Sequence, residues 1–221
     1  MKITLMGTKL FLAMVLAFAA SNAFAVGFGF TLGSGTETWD SGSTEDDNPN
    51  FEHHDGDRKV DYLGFVLDTA IAKDKLFNYR FSLLSEENNA DASGYNIDMK
   101  GISTVHDFGF GVVRNRVMRL WIGPELRLSY YNDISPSFAT SRQFDGDVVG
   151  LSVGPAIGLN IHLPRVVSFS VAGVYYIASQ YAGQYDVTDS NGVSYGTVDV
   201  EDSSNGLYIT ASILFRFNDN Y

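Results

Sequence analysis

Eight segments of about ten residues, each apolar at every second position, constrain this chain most. The last runs Leu207-Tyr208-Ile209-Thr210-Ala211-Ser212-Ile213-Leu214-Phe215-Arg216-Phe217, with Leu, Ile, Ala, Ile, Phe and Phe on odd positions and Thr, Ser and Arg among the even ones. Side chains alternate across a strand, so this pattern collects the apolar groups on one face. The segments are strands, and the chain reads as all-β.

The ends narrow the choice. Lys2 and Lys9 precede and flank an apolar run, Leu10 to Ala20, that is short for a bilayer span. Ala23-Phe24-Ala25 fits the small-x-small cleavage pattern of a secretory leader. We expect residues 1–25 to be a cleaved signal peptide and residues 26–221 to form one domain. No later stretch is both apolar and helix-length, so any membrane crossing beyond Ala25 must use strands.

There is no cysteine, hence no disulfide framework and no Cys-ligated metal. Lys and Arg number 15 against 26 Asp and Glu; loss of Lys2 and Lys9 with the leader leaves 13 against 26, a net of −13. That balance excludes nucleic acid as a natural partner. No cofactor motif and no metal-ligand spacing are found.

The strands are joined alternately by long polar segments and short turns. The long segments fall near 33–58, 85–99, 132–147 and 179–205, and the first is rich in Asp and Glu. Arg114-Asn115-Arg116 and His162 to Arg165 make tight turns. Asn191-Gly192, between Val187 and Tyr195, suits a two-residue hairpin turn that would carry strands seven and eight on as a ribbon. Eight strands, four long outer connections and three short ones describe an eight-stranded antiparallel up-and-down transmembrane barrel. Tyr130 and Tyr175 near one end, with Phe77, Phe215 and Phe217 near the other, suit interfacial girdles. In a soluble sandwich the glycine-rich opposite face would meet water; here it would line a crowded lumen.

The chain therefore resembles the small eight-stranded bacterial outer-membrane barrels of the OmpA, OmpX and opacity-protein type, over residues 26–221. Its end, with Ile213, Phe215 and Phe217 alternating before Tyr221, is similar to that family's assembly signal. The resemblance implies the bacterial outer membrane as location. It also implies lipid, lipopolysaccharide and the barrel-assembly machinery as partners.

Three groups of residues invite a role. Asp61, Asp68, Arg80, Asp107, Arg119, Glu125, Arg127 and Arg216 are read as inward charges. They would form either a self-neutralising network filling the lumen, the favoured reading, or a gated pore. Glycines on the same face would leave room for some water. Pro124 and Pro155 should lie at one height on neighbouring strands. Each removes a ladder donor, so the pair marks either bulges or a lateral opening to lipid. The latter resembles the proline-interrupted strand pairs of outer-membrane palmitoyltransferases. His106 faces lipid by parity and is read as an interfacial polar residue. The acidic first loop, including His53 and His54, could hold a divalent cation but is read as solvated surface. No Ser–His–acid set can be assembled, so the chain is not expected to be an enzyme. The expected role is structural or surface-interacting around a plugged lumen. The alternatives are a narrow solute channel and a lipid-binding or lipid-modifying barrel.

Overall fold

The computed structural model describes residues 27–41, 55–69, 76–92, 95–136, 142–163, 166–189 and 191–216. It contains eight strands: β1 (Gly27–Ser41), β2 (Asp55–Asp68), β3 (Phe77–Ala92), β4 (Tyr95–Arg114), β5 (Met118–Pro136), β6 (Arg142–His162), β7 (Val167–Asp189) and β8 (Ser194–Arg216). Each pairs antiparallel with the next, and β1 pairs with β8 from Gly27↔Arg216 to Ser41↔Asp202. The barrel is closed, so every strand has a neighbour on both sides.

Alternation sets the two faces of the wall. Phe30, Leu32, Leu63, Phe65, Ile102, Phe110, Ile122, Leu128, Ile157 and Ile213 point outward and are exposed. Tyr62, Val66, Trp121, Tyr176 and Tyr208 point inward and are buried. An isolated soluble barrel would invert this arrangement, because exposed apolar side chains are the ones water disfavours. The outward apolar groups form a continuous belt.

The belt has a sharp upper edge. Leu32 gives way to Ser34, Leu63 to Asp61, Leu83 to Ser85, Ile102 to Lys100, Tyr130 to Asn132, and Val149 to Asp147. These changes are aligned across the sheet, since Leu32 pairs with Leu63, Ile102 with Tyr130, and Tyr130 with Val149. Tyr130 and Tyr175 sit at this edge, where their hydroxyls donate to Asp147 (2.8 Å) and Asn205 (3.2 Å). An aromatic ring with a polar tip suits such a boundary. Among the described residues Phe77 and Phe215 lie toward the short-turn rim and are exposed.

The strands are longer than the sequence suggests. β7 and β8 have 23 residues each, whereas about 9–11 suffice for a tilted crossing. Segments read as loops at 33–58, 85–99, 132–147 and 179–205 are largely ladder: β1 continues to Ser41, and β3 and β4 are joined by residues 93–94 alone. Above the belt the outer face is polar and the inner face mixes charges with apolar groups such as Trp39, Met99 and Ile134, so the alternation that marks a half-buried strand weakens although the hydrogen bonds continue. The β7–β8 ribbon forms as expected. Its connection spans residues 190–193 rather than two residues, with Gly192 at φ 81°, a conformation glycine adopts without strain. Residues 1–25 lie outside the described residues, as do Phe217, Tyr221 and the acidic residues and histidines at 42–54.

Candidate functional site

The lumen is the chemically richest part of the molecule. Its charges stand in three storeys, and Arg58, Arg80 and Arg127 are each held by both an acid and a ring. Near the short-turn rim, Arg80 donates to Asp68 from Nε (3.2 Å) and Nη2 (3.0 Å). The same Nη2 donates to Asn160 (3.0 Å) and Ser170 (2.9 Å), and the guanidinium lies 5.4 Å from the Trp121 ring centre. Arg119 donates to Asn78 Oδ1 (3.1 Å), and Arg216 donates to the Leu163 carbonyl (2.9 Å).

In the middle storey Arg127 is ion-paired with Glu86 and lies 4.8 Å from the rings of both Tyr62 and Tyr208. Below it Asp107 and Glu125 are direct cross-strand partners, both buried. Tyr176 also donates to Glu125.

The top storey lies above the belt. Glu37 accepts from Tyr208 (2.6 Å), Ser204 (2.8 Å) and Tyr181 (3.1 Å) and pairs with Arg58 at 3.4 Å. Arg58 also reaches Asp202 (3.2 Å), and its guanidinium stands 4.3 Å from the Tyr181 ring and 5.6 Å from Trp39. Burial works against the Arg58 charge. Tyr181, Glu37 and Asp202 outweigh it and hold the guanidinium more firmly protonated than usual. Burial first, then the Glu37 carboxylate, pushes the Tyr181 phenol up to about 12.

Of the eight charges read as inward, seven are buried in the lumen. Asp61 is the exception. It alternates with inward Tyr62, shares the outer face with Leu63, and pairs with exposed Lys59 at 2.6 Å. That ammonium holds the Asp61 carboxyl below the usual range. Glu37, Arg58 and Glu86 escaped sequence reasoning. They lie where the outer face is also polar, so no apolar partner row revealed which way they point.

Several inward glycines are sockets for rings: a Cβ at Gly158 would come within 2.3 Å of the Trp121 indole, and one at Gly35 within 2.4 Å of the Tyr208 ring. The lumen cavity found among Tyr62, Arg80, Asp107, Glu125, Arg127 and Ser212 is about 20 Å³, room for a single water. An eight-stranded barrel has just enough interior for its own side chains, and here they fill it.

The prolines are cross-strand partners, Pro124↔Pro155, both exposed on the outer face. The His162 N–H bonds to the Val117 carbonyl, and counting along the register makes the proline pair a non-hydrogen-bonded one. The β5–β6 register therefore runs without a shift from Met118↔Ile161 to Tyr131↔Val148. The missing donors face outward from the pair. On one side Phe108 and Gly109 have no ladder partner in β5; on the other the β6–β7 register shifts between Val153 and Ala156.

His106 lies within the belt rather than at its edge, between Ile102 and Phe110. Its Nδ1 is 2.6 Å from the Tyr79 hydroxyl, and Phe81 packs edge-on. Among the described residues no cluster of three or more His, Asp or Glu could hold a metal.

No family model and no curated protein matches the chain. Among solved structures it is similar to the outer membrane protein OprG from Pseudomonas aeruginosa. The identity is 10%, over 89% of this chain and 98% of that one, with a TM-score of 0.52. The outer membrane protein AlkL superposes less closely, with 12% identity over 90% of this chain and 94% of that one and a TM-score of 0.45. The likeness is one of fold: the chain has the architecture of the small outer-membrane β-barrels.

Proposed function

We propose that this protein is an integral outer-membrane barrel with a sealed lumen, whose working surface is the wall and hairpins beyond the belt. The role is structural or surface-interacting, without catalysis. The protein reaches the membrane through a cleaved leader and the barrel-assembly machinery, and its partners there are lipid and lipopolysaccharide. The lumen carries this reading. Trp121, Arg127, Tyr131, Tyr176 and Tyr208 are buried across it, and the interior cavity of about 20 Å³ is far below what a solute needs. Strands of up to 23 residues then place much of the ladder outside the belt, where it displays charged and hydroxyl groups.

Planar-bilayer recording of refolded protein tests this. Wild type should show no stepwise conductance. The double variant Trp121→Ala, Arg127→Ala removes the two largest central groups and should conduct. Steps in wild-type recordings would overturn the sealed-lumen reading and favour a narrow channel.

A further inference from the structure

The outer wall carries a concavity of about 670 Å³ that the lumen does not explain. It follows a row of successive cross-strand partners: Tyr175↔Leu207, Leu207↔Thr36, Thr36↔Lys59, Lys59↔Asn89 and Asn89↔Asp98. Thr38, paired with both Asp57 and Asn205, adds a second row beside it. Thr36, Thr38, Lys59, Asn89 and Asn205 point outward and are exposed, so the groove opens away from the barrel axis.

Strands in a barrel are tilted, so a row of cross-strand partners climbs relative to the membrane plane. This row starts at Tyr175 and Leu207, beside the belt residues Ile177 and Ile209. It ends at Asn89 and Asp98, beyond the apolar edge. The groove thus has an apolar foot in the belt and a polar head outside it. Its volume is that of a small-molecule site.

The head is built for hydroxyl groups. Thr36 and Thr38 both donate and accept, Asp57 and Asp98 accept, and the amides of Asn89 and Asn205 do both. Tyr175 donates to Asn205 Oδ1 (3.2 Å) and so orients that amide. Arg58 and Lys59 are among its lining residues; the Arg58 guanidinium is buried against Glu37, and exposed Lys59 neighbours Asp61 at 2.6 Å. This set is too acidic for a bare phosphate. It suits a sugar, with a phosphate substituent placed near Lys59.

We propose that this groove binds the sugar headgroup of an outer-leaflet glycolipid, its acyl chains lying along Leu207, Ile209 and Ile177. The proposal deepens the outer-membrane reading and rests on it. Cell fractionation reads the location; the following experiment reads the groove in a micelle, whatever the location. Detergent-purified protein is mixed with lipopolysaccharide carrying a short inner core, with phosphatidylethanolamine, or with the delipidated core oligosaccharide, and retained ligand is read by native mass spectrometry. One lipopolysaccharide should be retained per barrel, with less of either other ligand. Lys59→Glu and the pair Thr36→Leu, Asn205→Leu should each lower retention about tenfold, as loss of one or two hydrogen bonds would. Asn132→Ala, on β5 and outside the groove, should leave retention unchanged. These side chains are exposed, and the gel mobility of folded barrel confirms that each variant folds. Equal retention of phosphatidylethanolamine, or unaltered retention in both groove variants, would mean annular lipid only and overturn the proposal. Free oligosaccharide bound as strongly as the intact lipid would overturn its acyl half.

Discussion

Arg80 shows what a charge in this lumen does. Its guanidinium satisfies Asp68, Asn160 and Ser170 at once and stacks toward Trp121. Arg80→Met should cost about 3–5 kcal/mol, because breaking a buried pair exposes the remaining charge to a poor solvent. Glu125→Gln is different: its cross-strand partner Asp107 is another carboxyl, and an amide oxygen can still accept from Tyr176. Its effect should stay within about 1 kcal/mol. Urea unfolding in detergent micelles compares the two, and equal losses would contradict the network as drawn. Tyr181 supplies a pH test. Its folded pKa, about 12, lies above the ordinary phenol value of 10.0. Its contribution is therefore intact below pH 10.0 and fades as pH rises toward 12. Tyr181→Phe should flatten this part of the alkaline stability profile, read by urea unfolding at a series of pH values.

At the scale of the strand, the prolines are informative because their cost falls beside them rather than between them. Pro124 and Pro155 oppose each other at a pair that makes no hydrogen bond, so β5 and β6 lose nothing to one another. Their absent donors coincide with the gaps at Phe108 and Gly109 and with the β6–β7 shift. Pro124→Val with Pro155→Val should raise the urea midpoint. It should also slow amide exchange at residues opposite the prolines on β4 and β7, while leaving exchange across β5–β6 unchanged. Faster exchange within the β5–β6 seam of the wild type than in its flanks would restore the idea of an opening there. The prolines were legible in sequence as a pair at one height. Which neighbour each one deprives depends on register, and register is set by the closed sheet.

At the scale of the molecule, two regions share one ladder. The belt turns apolar groups outward and packs rings inside; the wall above it turns polar groups outward and packs ion pairs among Trp39, Met99, Tyr131 and Tyr181 inside. If the belt carries the fold, the ribbon should be dispensable. Replacing residues 183–200 with Asn-Gly joins β7 and β8 at the Ala182↔Glu201 pair. The variant should still show the heat-dependent gel mobility of a folded barrel and keep the Glu37 storey, whose partners Tyr181, Ser204 and Tyr208 remain. Failure to fold would place stability in the ribbon instead.

By itself the sequence determined the number of strands, their order and the face that meets hydrocarbon, because an apolar belt imposes a period of two that polar loops interrupt. It also showed seven of the lumen charges, since each alternates with an apolar outward neighbour. Only the tertiary structure decided the rest. Above the belt the outer face is polar and the inner face is mixed, so neither the true strand ends nor the inward direction of Glu37, Arg58 and Glu86 leaves a periodic trace. Asp61, one residue out of phase with Tyr62, is the same lesson in reverse. The sealing of the lumen is likewise decided in three dimensions: a glycine reads as empty space until closure of the sheet brings a ring from another strand to fill it.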